Sequence, residues 1–218
     1  MKFPTSIEEA KKFQLKIREK IVLNNGFSKA NIIGACDIAY KQGKAFAASI
    51  IYDCEKHKII EERTIATKVQ FPYIPGYLFL RETPPLLVLL EKITNIPDIM
   101  IIDGHGIAHP RTAGSATIFG ILTGIPSIGV AKKPMKNFEY KPTKQANRDF
   151  IILNKEIVGF RHRFDKKWNP IYISPGNKIS LDSSYNIIKG LLTDRYKLPT
   201  PQQEAHFLAA KFKEKSTK

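Results

Sequence analysis

The chain has 218 residues, 43% of them apolar, with 35 Lys and Arg against 20 Asp and Glu, a formal charge of +15. That length suits one domain over 1–218, and the apolar share builds a core, which excludes a disordered chain. A membrane-spanning helix is excluded too, because no apolar run approaches the roughly 20 residues that cross a bilayer.

MKFPTSIEEAKK at the start has no apolar stretch of the secretory kind, and Cys36 and Cys54 match no zinc or redox spacing, so a cytoplasmic location is expected. An excess of positive charge attracts polyanions, nucleic acid foremost. Charge alone does not separate a binder from an enzyme.

Ser6 with Glu9 forms an S-x-x-E capping box, and Ile7, Ala10, Phe13, Ile17 and Ile21 recur at helical spacing, which predicts a first helix stopped by Asn24-Asn25-Gly26. Ile32–Tyr40, Ala45–Tyr52 and Lys58–Thr67 are apolar segments separated by the short turns KQGK and CEKH. Turns this short predict an antiparallel meander, its third strand at an edge. Two prolines and Gly76 make Phe71–Gly76 a stiff loop. A helix follows over Tyr77–Ile93, and Pro84-Pro85 predicts that it restarts or kinks there.

Asp98–Asp103 is an almost wholly apolar run of the kind buried on both faces of a sheet. The glycine-rich loop GHGIAHPRTAG, a helix to Leu122 and a second buried strand, Pro126–Ala131, complete a parallel βαβ crossover. Phe150–Leu153 and Glu156–Arg163 predict a hairpin turning at Asn154-Lys155, and Ile171–Ser174 a further strand. Helices are expected over Ser180–Leu192 and Thr200–Phe212, the latter with Thr200 as cap, Pro201 at N1 and Gln203 at N3, before a basic tail, 211–218, that frays. The fold class is α/β: a three-strand antiparallel meander extended by parallel strands and flanked by helices.

In so basic a chain, carboxylates inside apolar runs are the informative residues. Asp37 interrupts Ile33–Tyr40 in mid-strand, and Asp103 ends Ile99–Asp103 where the strand opens into the glycine loop. A buried carboxylate needs a cation or strong donors, although Asp103 also suits a simple loop cap. On neighbouring strands the pair would share a hard divalent cation such as Mg²⁺, which takes oxygen ligands, water and substrate phosphate. Phosphodiester hydrolysis uses that arrangement.

Glu82 is a candidate third member, set against an ordinary solvated helix residue. His206, one turn after Gln202 and sharing a face with Ala209 and Ala210, is a fourth, set against a satisfied core histidine. His57 and His162 read as solvated, whereas His105 and His109 flank the loop after Asp103 and suit phosphate or base. Lys132 follows a buried strand and suits a point charge on a phosphate, with Lys133 the exposed neighbour.

Together GACDIAY (34–40), FPYIPGYLFLRE (71–82), IIDGHGIAHPR (101–111), IPSIGVAKK (125–133), ISPGNKISLDSS (173–184) and LPTPQQEAH (198–206) resemble the endonuclease V family, in its order and across nearly the whole chain. The resemblance implies a ribonuclease-H-like fold and Mg²⁺-dependent, Mn²⁺-tolerant incision of DNA at the second phosphodiester 3′ to deoxyinosine. The products would be a 3′-hydroxyl and a 5′-phosphate. It implies metal-binding roles for Asp37, Asp103 and Glu82, catalytic roles for these with Lys132 and His206, and a base-displacing wedge tipped by Tyr73. Substrate-binding residues carried over are Tyr73, Ile74, Pro75, Gly76 and Leu78 of the wedge loop, with Gly104, His105, Gly106 and His109 beyond Asp103.

Physics makes the wedge and pocket reasonable. A base acted upon must leave the stack at a cost of a few kcal/mol, a stiff aromatic loop fills the gap at little entropic cost, and glycine walls let backbone groups approach the base edge. A snug pocket would exclude guanine through its extra exocyclic amine.

The chain departs from the family's pattern at His105, usually Gln or Asn, at Ile118 and Asn177, usually His, and at Thr200-Pro201-Gln202-Gln203, usually E-P-T-[RK]. No organic cofactor or membrane is implied, and a monomer suffices. The alternatives are an inosine-specific single-stranded ribonuclease of the same fold and a non-catalytic nucleic-acid-binding module.

Overall fold

The computed structural model describes residues 3–216. Helix α1 (Ile7–Arg18) starts where the capping pattern places it. Ser6 Oγ accepts the Glu9 N–H, while Glu9 Oε2 accepts from Thr5 rather than from Ser6. The helix ends before Ile21 because the following backbone is claimed elsewhere: Val22 N–H donates to Asn177 and Gly26 N–H to Lys178.

Strands β1 (Ile32–Lys41), β2 (Lys44–Asp53) and β3 (Lys58–Lys68) form the expected antiparallel meander. Helix α2 (Phe79–Leu90) is one continuous element through Pro84 and Pro85, with no restart there. Burial of Phe79, Leu80, Pro85, Leu86 and Leu89 outweighs the two backbone donors that the prolines remove. Strand β4 (Ile99–Asp103), helix α3 (Ser115–Thr123) and strand β5 (Ser127–Ala131) make the predicted parallel crossover.

A second antiparallel run follows: β6 (Glu139–Pro142), β7 (Arg148–Leu153), β8 (Glu156–His162) and β9 (Ile171–Asn177). Strand β6 is short, polar and carries no alternation, so the sequence did not mark it. Helix α4 (Leu181–Gly190) is capped by Ser180, whose Oγ accepts the Ser183 N–H.

Helix α5 (Thr200–Lys215) departs from expectation at both ends. Pro199, not Thr200, holds the cap position, without a side-chain bond, and helix continues past Phe212 through part of the segment expected to fray. Residues 217 and 218 of that segment lie outside the described residues.

All nine strands join one mixed sheet, ordered β3-β2-β1-β4-β5-β9-β8-β7-β6, with β3 at an edge as expected and β1, β4 and β5 parallel at the centre. This is the ribonuclease-H-like arrangement. Ile33, Ala35, Ile99, Ile101 and Val130 pack on one face against Tyr185, Ile188, Leu198 and Ala205 of α4, α5 and the segment joining them. Cys36, Met100 and Ile102 pack on the other against Leu86 and Leu89 of α2 and Phe119 of α3. His162, expected to be solvated, is buried on the first face, where its Nδ1 meets the Tyr185 hydroxyl at 3.2 Å. Among the described residues no helix is long and apolar enough to cross a membrane.

Candidate functional site

The parallel pairing of β1 with β4 sets Cys36 beside Ile102, so Asp37 and Asp103 follow on adjacent strands. Odd residues of both strands face α5. Small Ala205 and Ala209, both fully buried, let that helix lie close enough for His206 to reach Asp37.

Asp37 is only 8% exposed. Its Oδ2 meets His206 Nδ1 at 2.5 Å and Lys132 Nζ at 3.9 Å, and its Oδ1 accepts the Ile38 N–H at 2.8 Å. Burial opposes ionisation here, yet the His206 hydrogen bond, the Lys132 charge and the backbone donor together hold the pKa below the ordinary carboxylate value.

Asp103 shows the opposite balance. Burial and the neighbouring Asp37 charge raise its pKa to about 6 against the pull of Lys132. Its Oδ2 accepts from Lys132 Nζ at 2.8 Å and its Oδ1 from Gln202 Nε2 at 3.3 Å. Lys132 is drawn up in turn: burial lowers its pKa, but Asp103 and Asp37 outweigh that.

Glu82 is no solvated helix residue. It is half-buried in the first turn of α2, Ser115 donates to its Oε2 at 3.1 Å, and burial with the charges of Asp103 and Asp37 raises its pKa well above the ordinary value. The structure therefore brings together all five predicted catalytic candidates: Asp37, Glu82, Asp103, Lys132 and His206.

Asp37, held ionised, stands with Asp103 and Glu82, whose raised pKa values report crowded negative charge, around Lys132, and three hard oxygen donors so placed suit a divalent cation. Among the described residues no three His, Cys, Asp or Glu side chains form a ready-made metal cage. Mg²⁺ does not require one, since it keeps several waters and takes one or two carboxylates. Asp37 and Asp103 fit that demand, with Glu82 beside them.

A cavity of about 110 Å³ adjoins Asp103 through Gly104, between the proline-stiffened loop that carries Tyr73 and the start of α3. Tyr73, Pro75, Gly76 and Leu78 line one side, Gly104, His105 and His109 the other. Gly76 and Gly104 have φ of 82° and 136°, so a side chain at either would be strained. Tyr73 stands out from the loop, 64% exposed.

Two carried-over residues, Ile74 and Gly106, are not among the lining residues, and a Cβ on Gly106 would run into the Pro175 carbonyl oxygen. Gly106 is thus a packing requirement, and its N–H donates to Ser174 Oγ at 2.8 Å.

Both predicted histidines line the cavity. His109 has both nitrogens engaged by protein, Nε2 donating to the Gly76 carbonyl and Nδ1 accepting the Arg111 N–H, which orders the wall. Burial and the nearby Arg111 lower its pKa to about 3. His105 donates from Nε2 to the Lys133 carbonyl at 3.0 Å, and burial lowers its pKa to about 4.

Three contributors went unmarked in the sequence. Gln14 is fully buried and ties Gly76, Ala113 and Arg111 together, and its place one turn after Ala10 on the apolar face of α1 was the available signal. Gln202 bonds Asp103 and the Val130 carbonyl. Lys197, half-buried before α5, has its pKa lowered by burial and by Lys132 and drawn up by Asp103, so it faces the same centre. The other departures are structural here: Ile118 is fully buried and Asn177 bonds Val22 and Gly120.

Carboxylates on two adjacent strands of a mixed central sheet, a third on the helix beside them, a lysine among them and a small cavity alongside define a nuclease-type centre. The family model described as Endonuclease V matches residues 15–207. An endonuclease V of Rippkaea orientalis is 36% identical over 210 residues, covering 95% of this chain and 91% of that protein. The crystal structure of the Streptomyces avermitilis endonuclease V superposes with a TM-score of 0.89 at 30% identity, covering 99% of this chain and 96% of that one. A Ciona intestinalis endonuclease V, solved in complex with a 24mer DNA containing an inosine followed by a ribo-adenosine, gives a TM-score of 0.87 at 26% identity, covering 96% of this chain and 98% of that one. The chain belongs to the endonuclease V family.

Proposed function

We propose that the protein is a Mg²⁺-dependent DNA repair endonuclease that hydrolyses the second phosphodiester 3′ to deoxyinosine, leaving a 3′-hydroxyl and a 5′-phosphate. The observation that carries this reading is the convergence of Asp37, Asp103, Glu82, Lys132 and His206 beside the cavity behind Tyr73. Family membership and the inosine-containing DNA bound by the Ciona relative support it.

Asp37 and Asp103, with Glu82, would hold the cation, which when bound supplies the Lewis acidity that activates water and steadies the leaving oxygen. His206 and Lys132 keep Asp37 ionised. Lys132 and Gln202 fix the two oxygens of Asp103, and Lys132 Nζ places its charge where the scissile phosphate must approach. Glu82, with its raised proton affinity, takes the proton of the attacking water. His206 bonds Asp37 through Nδ1, which leaves its Nε2–H to donate the proton that the departing 3′-oxygen needs to become the 3′-hydroxyl.

Tyr73, on its proline-stiffened loop, fills the stack as the base enters the cavity. The Gly76 and Gly104 walls bring backbone against the hypoxanthine edge. One chain acting alone in the cytoplasm suffices for this chemistry.

Strand-resolved cleavage of matched DNA and RNA oligonucleotides carrying inosine, uracil, an abasic site or a mismatch, with and without Mg²⁺, tests the reading. A nick at the second phosphodiester 3′ to deoxyinosine, dependent on Mg²⁺, supports it. Faster cutting of the RNA would shift the substrate to inosine in single strands, and salt-sensitive binding with no product would make the protein a binding module.

A further inference from the structure

Beyond His206 the surface changes character. Phe207, the next residue of α5, is 47% exposed. Its ring lies 6.2 Å from that of His206 and meets the Tyr196 ring edge-on at 5.8 Å. The Arg195 guanidinium covers the Tyr196 ring at 5.0 Å, and Lys197 follows, facing Lys132 and Asp103. An exposed phenylalanine contributes nothing to the core, and here it sits on a rigid helix one residue from the site, among cations.

Its position relative to the cavity gives it a direction. The cavity is walled by the wedge loop, α1 and the start of α3, on the sheet face that α2 and α3 cover. Phe207 and Tyr196 belong to α5 and the segment before it, on the other face. Asp103 directly precedes the Gly104 wall of the cavity and Asp37 bonds His206 of α5, so the carboxylates join the two. A strand with its base in the cavity and a phosphate at Asp37 and Asp103 would meet α5 at His206.

We propose that Phe207 and Tyr196, flanked by Arg195 and Lys197, form a stacking platform for the nucleotides on the 3′ side of the scissile phosphate. The polarity rests on the reading that the cut lies 3′ to the base in the cavity. Aromatic rings accept any base on their faces, and the adjacent cations follow the backbone, so the platform grips the strand without reading its sequence. Charge complementarity favours a nucleic-acid strand over a second copy of this chain, which carries the same +15.

The test measures binding by fluorescence anisotropy in EDTA, so that no strand is cut. One series of inosine-containing single strands lengthens the 3′ flank stepwise at a fixed 5′ flank; a second does the reverse. Wild-type affinity rises as the 3′ flank grows, Phe207→Leu loses about tenfold of that gain, and Phe207→Tyr retains it. Neither variant changes the 5′ series. A Phe207→Leu curve matching wild type, or an equal loss in both series, overturns the proposal. So does a wild-type dimer in sedimentation that Phe207→Leu dissociates, since the face would then be covered by a second copy. Repeating both series with adenosine in place of inosine separates the two readings: lost inosine discrimination refutes the proposed function while the 3′ series still reports on the platform.

Discussion

Gln14→Leu tests whether the wall of the cavity is held by the hydrogen bonds that the structure shows. Gln14 is 0% exposed; its Nε2 donates to the Ala113 carbonyl at 2.8 Å and the Gly76 carbonyl at 3.2 Å, and its Oε1 accepts from Arg111 Nε at 2.6 Å. Leucine has similar volume and opens no large cavity, so the loss is the hydrogen bonds. Two bonds to neutral partners at about 1 kcal/mol each and one charged bond at about 1.5–3 kcal/mol, offset by the apolar gain, predict a loss of about 2–4 kcal/mol. In a chain of this length each kcal/mol moves the midpoint by about 2–4 °C, so Tm falls by about 5–15 °C.

Urea unfolding at constant m-value measures the first quantity. The ratio of inosine to adenosine strand affinities measures the second, and it falls because the Gly76 carbonyl retains only Arg111 and His109. A stability loss below about 0.5 kcal/mol would refute the hydrogen-bond reasoning. The full loss with unchanged discrimination would show that Gln14 holds the fold without shaping the cavity.

Asp103→Asn stabilises the metal-free protein at pH 8. The folded pKa near 6 lies above the unfolded one, so ionising Asp103 costs stability as pH rises between the two, up to about 3 kcal/mol, which asparagine avoids. Thermal melts should show the variant's advantage at pH 8 vanishing below about pH 4; an advantage independent of pH would contradict the electrostatic cause. Gly106→Ala, whose Cβ would meet the Pro175 carbonyl, yields unfolded or insoluble protein, whereas Gly43→Ala, with φ of 72° and nothing within 4 Å, costs about 1 kcal/mol in denaturant unfolding. Tyr73→Ala leaves Tm unchanged, because the ring is exposed, and weakens inosine-strand binding by about tenfold in anisotropy titrations.

The meander, the crossover and the five polar candidates were legible because each breaks or keeps a local rule. Asp37 stands out in an apolar strand, and Asp103 ends another. What could not be read is set by partners distant along the chain. Pro84 and Pro85 break a local helix rule that only the buried face of α2 overrides. His162 looked solvated among basic neighbours until Tyr185, from α4, covered it. Gln14 and Gln202 carry no local signal for the groups they bond, which lie 62, 97 and 99 residues away for Gln14 and 72 and 99 for Gln202. Gly106, marked by its motif, is constrained in the fold by the Pro175 backbone, a partner distant in sequence.

Single-turnover cleavage of an inosine-containing DNA strand by the wild-type protein and Asp37→Asn, each shown to be folded by circular dichroism, decides whether the carboxylate centre cuts DNA. The wild type should give a Mg²⁺-dependent nick at the second phosphodiester 3′ to the inosine, and the variant should nick at least about a thousandfold more slowly. Equal rates in the two proteins, or equal cutting of an undamaged strand, would contradict that role for the centre.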